Sequence, residues 1–125
     1  MNGTPTHIPL KGSIFLQINN EAGNEFEIDI SAVAGYIIGR SDSKSSYIPD
    51  IDLAAFHALE KGVSRRHAAL VRHQGTLHVL DLSSVNGTFL NGERLASEVP
   101  YPLTAGDKLL LGNLSLNVSY SEQPG

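Results

Sequence analysis

The sequence contains no cysteine and no long apolar run. Without cysteine the chain can form no disulfide, no thiolate nucleophile and no zinc site with cysteine ligands. No apolar run approaches the roughly 18 residues that a membrane-spanning helix needs. The opening residues MNGTPTHIPL also lack the basic and apolar regions of a signal peptide. We therefore expect a cytoplasmic protein that binds no membrane.

Basic residues are in the minority. The 9 lysines and arginines are outnumbered by 13 aspartates and glutamates, so the formal net charge is -4. A surface that neutralises nucleic-acid phosphates has the opposite balance, and we expect no nucleic-acid partner. Any anion that the protein binds must therefore meet a local cluster of basic side chains. A length of 125 residues suits one domain with its own core, which we expect to be a monomer.

Short apolar segments with a period of two residues recur along the chain, among them IFLQI, FEIDI, TLHVLDL and LSLNVSY. This period is typical of strands with one buried face, and turn signals such as EAGN, HQGT and TAGD separate the segments. The pattern predicts an all-β fold, a sandwich or barrel of about ten or eleven short, mostly antiparallel strands. The residues LAAFHALEKG predict a short helical turn inside a loop.

The two ends of the chain are polar or contain proline and glycine. We expect residues 1–11 to form a flexible tail, residues 12–120 to form the domain, and residues 121–125 to form a second tail. Thr4 and Thr6 of the first tail are candidate phosphorylation sites, and a phosphate there would be tethered close to a binding site of the domain.

Residue types found in hydrolases and metal sites occur without the patterns that accompany them. Ser64, His67 and Asp81 have the side chains of a catalytic triad, yet no G-x-S-x-G turn surrounds Ser64. His73 and His78 can face each other across a hairpin, but no further residues have the spacing of metal ligands. No glycine-rich phosphate loop is present. We therefore expect no enzymatic activity, no metal and no cofactor.

Polar residues stand where the predicted strands end. Arg40 closes the strand YIIGR, while GVSRRH places Ser64, Arg65 and Arg66 just before the strand HAALV, and Asn86 occupies the turn after the next strand. Loops at strand ends carry the sites of sandwich proteins. Guanidinium, hydroxyl and amide groups are the groups that bind a phosphate on an extended peptide.

Four motifs, GR, SRRH, DLSSVNGTFLNG and LTAGDKLLLG, follow one another along most of the chain. In this order they resemble the forkhead-associated (FHA) domain family. The resemblance implies an FHA-like β-sandwich of about eleven strands whose loops at one end bind phosphothreonine peptides, the products of serine/threonine kinases, without enzymatic activity. The alternative that stays open is a module of the same fold that assembles with a partner without any phosphate.

The resemblance also implies roles for individual residues. Arg40 matches the arginine that contacts the phosphate, Ser64 the serine that donates its hydroxyl proton, and Arg65 a position that helps to hold the phosphothreonine. Asn86 matches the asparagine that binds the peptide main chain. Structural roles are implied for Gly39, His67, Gly87, Asn91 and Gly92, and His67 is expected to link loops by hydrogen bonds.

Two Asn-Gly pairs occur in SSVNGTFLNG, too close together for two ordinary hairpins. We interpret Asn86-Gly87 as a turn that presents Asn86 to the ligand. We interpret Asn91-Gly92 as a hairpin turn in which FL pairs with ER. We therefore expect the first pair to contribute to ligand binding and the second pair to contribute to the fold.

Two features depart from the family pattern. Val85 stands where many members have threonine, so this position offers no hydroxyl beside the phosphate. Residues 41–63 form a loop that is longer than in compact members, and Lys44 in this loop is a candidate peptide contact. Val85 and Arg66 are further candidate contacts with the peptide.

Overall fold

The computed structural model describes residues 7–31 and 35–122. In this part of the chain eleven strands form two packed β-sheets. In chain order the strands are β1 (Ser13–Ile18), β2 (Glu25–Asp29), β3 (Gly35–Gly39), β4 (Ile51–Asp52), β5 (Arg66–His73), β6 (Thr76–Asp81), β7 (Thr88–Leu90), β8 (Glu93–Arg94), β9 (Tyr101–Pro102), β10 (Lys108–Leu111) and β11 (Leu114–Ser121). The predicted all-β sandwich is confirmed.

One sheet has six strands and the other has five. The six-stranded sheet has the order β2-β1-β11-β10-β7-β8, and the five-stranded sheet has the order β4-β3-β5-β6-β9. The pairings between the described strands are antiparallel except that of β3 with β4. The sheets are therefore mostly antiparallel, as predicted.

The core is filled by the buried side of each strand. In β1 the side chains of Ile14, Leu16 and Ile18 are buried, while the residues between them are half-buried. β11 alternates in the same way along most of its length. The period of two in the sequence is the period of burial, because successive side chains of a strand point to opposite faces.

The segment LAAFHALEKG contains a 3-10 turn at Ala54–Phe56, followed by further turns. The carboxylate of Asp52 accepts the N–H of Ala54, and the side chain of Ala58 is fully buried. The backbone N–H of Val63 donates to the carbonyl of Ala58 over 2.9 Å. The predicted short helical turn is confirmed, and these contacts fix the loop that leads into β5.

Asn91 and Gly92 form the turn between β7 and β8. Both have positive φ, 50° and 90°, as a type I′ turn requires. Across this turn FL pairs with ER, which is the predicted pairing. The hairpin interpretation of the second Asn-Gly pair is therefore confirmed.

The expectation that residues 1–11 form a flexible tail is wrong for residues 7–11. Ile8 is 1% exposed and belongs to the core. Its N–H donates to the carbonyl of Leu103 over 3.1 Å, and its carbonyl accepts the N–H of Leu77 over 2.8 Å. One isoleucine between polar residues and a proline has no periodic pattern, so the sequence did not reveal this contact.

At the other end of the chain β11 runs through Ser121, one residue into the predicted second tail. Residues 123–125 lie outside the described residues, as do the candidate phosphorylation sites Thr4 and Thr6. Within the described ranges, no helix has the length and apolar character needed to cross a membrane.

Candidate functional site

The loops that carry the predicted site residues meet at one end of the five-stranded sheet. β5 runs antiparallel to both β3 and β6, so the ends of β3 and β6 lie beside the start of β5. The register accordingly pairs Gly39 with Arg66. Arg40 follows β3, Ser64 precedes β5, and Asn86 follows β6. Strand direction alone therefore brings the three residues to the same edge.

Gly39 allows the loop after β3 to lie directly against the loop before β5. The register shifts between Ile38 and Gly39, and a Cβ atom on Gly39 would collide with the carbonyl oxygen of Arg65. The N–H of Arg40 donates to that oxygen over 3.2 Å. A larger residue would push the two loops apart, so the close approach requires glycine.

Arg40 is anchored by its own guanidinium group. Its Nε donates to the carbonyl of Val63 over 2.6 Å, and its side chain is 17% exposed. Its Nη1 lies 3.5 Å from Oδ2 of Asp42, and Nε of Arg65 lies 3.8 Å from the same oxygen. These ion-pair distances are longer than hydrogen bonds, so N–H donors of both guanidinium groups stay available to a ligand.

Ser64 connects the loop before β5 to the loop between β6 and β7. Its Oγ accepts the backbone N–H of Val85 over 3.2 Å. Accepting this bond leaves the hydroxyl proton of Ser64 available as a donor. Val85 is 82% exposed, so its side chain lies at the surface of the same loop.

Asn86 is exposed and reaches back from the loop after β6 to the loop before β5. Its Nδ2 donates to the carbonyl of Gly62 over 2.9 Å. Gly62 has a φ of +80°, and a Cβ atom there would collide with the amide of Asn86. Gly87 also has a positive φ, 89°, which turns the chain directly after Asn86. The side-chain amide keeps a second N–H and its oxygen for other partners.

His67 is fully buried beside these loops. The backbone N–H of Ser64 donates to Nδ1 over 3.0 Å, and Nε2 lies 2.9 Å from the carbonyl oxygen of Gly87. Since Nδ1 accepts, the ring proton is on Nε2 and the ring is neutral. Burial lowers the pKa of His67, which favours this form. The ring thus links the two loops by hydrogen bonds.

Ser64, His67 and Asp81 are not linked to one another by the hydrogen bonds of a catalytic triad. His67 bonds the backbone N–H of Ser64 rather than its hydroxyl, and the carboxylate of Asp81 accepts three other hydroxyl groups. The rings of His73 and His78 make an edge-to-face contact with centroids 4.9 Å apart. In the ranges 7–31 and 35–122 no group of three or more His, Cys, Asp or Glu is placed to hold a metal ion.

Asp81 has a role that the sequence did not reveal. It is 2% exposed, and its carboxylate accepts the hydroxyls of Ser84, Thr88 and Ser97 over 2.6, 2.7 and 3.0 Å. Ser84 in turn accepts the N–H of Gly87 over 3.0 Å. Burial alone would raise the pKa of Asp81, but these hydrogen bonds outweigh burial and lower it. The signal was the run DLSSVNGT, in which the carboxylate and its hydroxyl donors recur at short spacing.

Two clefts adjoin at this end of the sandwich, and both are lined by Arg40, Ser64 and Val85. The larger, of about 600 Å³, is also lined by Tyr47, Arg65, Arg66 and Ser83, and we name it the basic cleft. The smaller, of about 230 Å³, is also lined by Leu59, Gly62, Val63 and Asn86, and we name it the apolar cleft.

The two clefts are lined by six of the seven residues predicted to bind or contact the peptide: Arg40, Ser64, Arg65, Arg66, Val85 and Asn86. Lys44 lines neither of them; it is exposed, and its backbone N–H donates to Asp42 over 2.9 Å. Asp42, Tyr47 and Leu59 contact this region without having been singled out from the sequence. All three lie in residues 41–63, between the GR and SRRH motifs; the sequence predicted a loop there, but the structure places β4 and the 3-10 turn within it.

Comparisons with known proteins place the chain among similar sequences and structures. A family model of the FHA domain matches residues 36–112. An oxoglutarate dehydrogenase inhibitor of Corynebacterium diphtheriae is 34% identical over 86 residues, which are 69% of this chain and 56% of that protein. A homologue of a protein phosphatase 1 regulatory inhibitor subunit from Arabidopsis thaliana is 36% identical over 75 residues, 59% of this chain and 18% of that protein. The chain thus spans only part of the length of these curated relatives.

A solved structure from an analysis of phosphothreonine-dependent FHA domain interactions is also similar. It superposes with a TM-score of 0.65 and 26% sequence identity. The superposition covers 87% of this chain and 97% of that chain. The likeness therefore extends over nearly the whole of the solved domain.

Proposed function

The chain belongs to the FHA domain family, and on this premise we propose that it binds proteins phosphorylated on threonine, the products of serine/threonine kinases. Arg40, Ser64 and Arg65 hold the phosphate in the basic cleft, and Asn86 holds the peptide main chain. The observation that carries this proposal is that one cleft is lined by Ser64 together with three arginines, Arg40, Arg65 and Arg66. The similar FHA domain described for phosphothreonine-dependent interactions supports it.

The chemistry of phosphothreonine matches these donors. The group carries close to two negative charges and three acceptor oxygens. Arg40 can meet two oxygens with its planar fork, and Ser64 can donate to a third. Each hydrogen bond to a charged group contributes about 1.5 to 3 kcal/mol. Three or four of them are sufficient, after ordering costs, for micromolar binding at about -8 kcal/mol.

Exposed apolar side chains beside the phosphate donors favour a peptide over a free phosphate. Val85 is 82% exposed and Leu59 is 65% exposed, and both line the apolar cleft. A peptide whose phosphothreonine occupies the basic cleft would cover them with its own side chains, which removes apolar surface from water. Val85 also offers the methyl group of threonine an apolar contact, so we expect threonine to be preferred over serine.

We propose further that the protein is a monomeric, non-catalytic signalling module of the cytoplasm. The hydrogen bonds of His67 and Asp81 support the lack of catalysis, because each side chain is already engaged with groups other than the Ser64 hydroxyl. The net charge of -4 argues against nucleic acid as a partner.

A pair of degenerate peptide libraries tests the proposal. One library has phosphothreonine at a fixed central position, and the other has unmodified threonine there. Peptides that the protein retains are identified, resynthesised and titrated by calorimetry. We expect micromolar binding of the phosphorylated peptides and no binding of the unmodified ones.

Two further peptides sharpen this test. A glutamate analogue should not bind, because a carboxylate has about half the charge of phosphate and planar oxygens. A phosphoserine analogue should bind more weakly than phosphothreonine. Equal retention of phosphorylated and unmodified peptides would instead favour the alternative, a module that assembles without phosphate.

A further inference from the structure

The basic cleft has a negative charge next to its phosphate donors. Oδ2 of Asp42 lies 3.5 Å from Nη1 of Arg40 and 3.8 Å from Nε of Arg65. Oδ1 of the same carboxylate accepts the backbone N–H of Lys44 over 2.9 Å, so a short turn holds the charge in place. A phosphate bound by both arginines would have this carboxylate as a close neighbour.

We propose that Asp42 limits the affinity of the site for phosphorylated ligands by lowering the positive potential of the basic cleft. This inference rests on the proposed function and names a residue that sets the affinity of the proposed phosphate site. Its consequence is a complex that dissociates faster than the arginines alone would allow, because affinity differences within one interface arise mostly in the dissociation rate.

The geometry favours this role over one in which Asp42 positions the arginines. Arg40 is held by its own hydrogen bond to the carbonyl of Val63 over 2.6 Å, which does not involve Asp42. Both ion-pair distances exceed the range of hydrogen bonds, so the carboxylate fixes no donor direction. The side chain of Asp42 is 28% exposed, so water and salt screen its charge only in part.

The effect of a fixed charge scales with the charge of the ligand. At one position, Asp42 repels a dianion twice as strongly as a monoanion. Removal of the charge should therefore raise the affinity for a dianion by the square of the factor gained by a monoanion. A residue that merely positioned the arginines would not give this relation.

Asp42→Asn is the appropriate variant, because the amide oxygen can still accept the N–H of Lys44. Its affinity is measured for a phosphothreonine peptide from the library selection and for the same peptide with threonine O-sulfate. The sulfate has tetrahedral oxygens but one negative charge. We expect about a three- to tenfold gain for phosphate, about a two- to threefold gain for sulfate, and a steeper loss of affinity with added salt.

Glu122→Gln is the matched control, since it changes the net charge by the same amount at the far end of β11. The other end of β11 adjoins the site, because Gly112, two residues before this strand, donates its N–H to the carbonyl of Gly87 over 3.0 Å. This control should leave the affinity unchanged. Thermal melting of each variant verifies that it is folded.

The outcomes separate the two proposals. If the wild type binds phosphopeptides and Asp42→Asn binds them equally or more weakly, this inference is overturned while the proposed function stands. Equal gains for phosphate and sulfate would also overturn it, because the effect would not scale with ligand charge. If neither the wild type nor the variant binds any phosphopeptide, the proposed function fails and this inference fails with it.

Discussion

The Nε2 atom of His67 donates a hydrogen bond to the carbonyl oxygen of Gly87 over 2.9 Å. On the other side of the ring, Nδ1 accepts the backbone N–H of Ser64 over 3.0 Å. One buried imidazole therefore joins the loop before β5 to the loop after β6. The relative position of Ser64 and Asn86, which lie on these two loops, depends on this ring.

We expect His67→Ala to lower the free energy of unfolding by about 2 to 4 kcal/mol, because it leaves a cavity and two backbone groups without their partner. Urea denaturation followed by circular dichroism measures the change. His73→Ala, at an exposed position of the same strand, is the control and should cost less than about 1 kcal/mol. An unchanged midpoint for His67→Ala would contradict its structural role.

His67 should also resist protonation in the folded protein. Burial lowers its pKa below the ordinary value of 6.5, while the unfolded chain titrates near that value. The contribution of His67 to stability is thus complete above pH 6.5 and is lost as the pH falls through the lower pKa of the folded state. NMR titration of this ring should give a pKa below 6.5. A normal or raised pKa would show that the ring is not held in its neutral form.

The NMR resonance of the His67 ring itself must be followed, because the pKa of a second histidine is lowered as well. Burial also lowers the pKa of His78, so both residues contribute to the loss of stability on acidification. A global unfolding curve therefore does not separate them, whereas the NMR resonances of the two rings do.

The sandwich was predictable because its signals are local. Alternation along β1 and β11 follows from one buried face per strand, and the Asn91-Gly92 hairpin follows from two residues that accept positive φ. Ile8 was not predictable in this way. Its bonds with Leu77 and Leu103 join distant parts of the chain, and a single apolar residue carries no period.

The candidate site likewise contains residues that the sequence predicts and residues that it does not. Arg40, Ser64 and Asn86 could be located from motifs because each lies within two residues of the end or start of a strand. Asp42 and Leu59 could not, because the path of the loop 41–63 depends on its own turns and on Val63 packing against the core. Sequence motifs thus locate the proposed phosphate donors, while the residues around them require the structure.

Asp81→Asn should destabilise the fold by about 1 to 3 kcal/mol, because a neutral amide is a weaker acceptor for buried hydroxyl groups. Binding of phosphopeptides should weaken as well, since the loop that carries Asn86 loses its support. Urea denaturation and calorimetry measure the two effects. Asp29→Asn, at an exposed carboxylate that accepts a hydrogen bond from Ser31, should change stability by less than about 1 kcal/mol.

The acid dependence of stability gives a second measure of Asp81. Its pKa is lowered from the ordinary value of 3.8, so its contribution is present above pH 3.8 and is lost as the pH falls through the lower pKa of the folded state. The Asp81→Asn variant should lack this part of the acid transition. Identical acid transitions in the two proteins would contradict the role of the carboxylate.

Arg40→Ala should reduce phosphopeptide affinity at least about a hundredfold, because it removes two charge-assisted hydrogen bonds. Stability should fall by about 1.5 to 3 kcal/mol, the contribution of the lost charge-assisted bond to Val63, and the variant should stay folded. Calorimetry and thermal melting check both values. Arg72→Ala, at the far end of β5, is the control that should bind as the wild type does. Phosphopeptide binding that survives Arg40→Ala would place the phosphate elsewhere.

Val85→Thr should raise the affinity for phosphopeptides about three- to thirtyfold. Threonine has nearly the shape of valine, and Val85 is 82% exposed, so packing should change little. The new hydroxyl would stand beside that of Ser64, whose Oγ already accepts the N–H of residue 85. A hydrogen bond to a charged phosphate oxygen then adds to those from the arginines. Calorimetry with phosphorylated and unmodified peptides measures the gain, which should appear for the phosphorylated peptide alone.

Two comparisons show whether the hydroxyl acts on the phosphate. Val85→Ala removes apolar surface without adding a donor, so it should weaken binding. If substitutions at residue 85 acted only by loosening the loop, Val85→Thr and Val85→Ala would change the affinity for the phosphopeptide in the same direction. In an Arg40→Lys background the gain from Val85→Thr should shrink, because a phosphate that is no longer held by the guanidinium fork loses its alignment with the new hydroxyl. An undiminished gain in that background would show that the hydroxyl contacts another part of the peptide. No gain in the wild-type background would place the phosphate out of reach of residue 85.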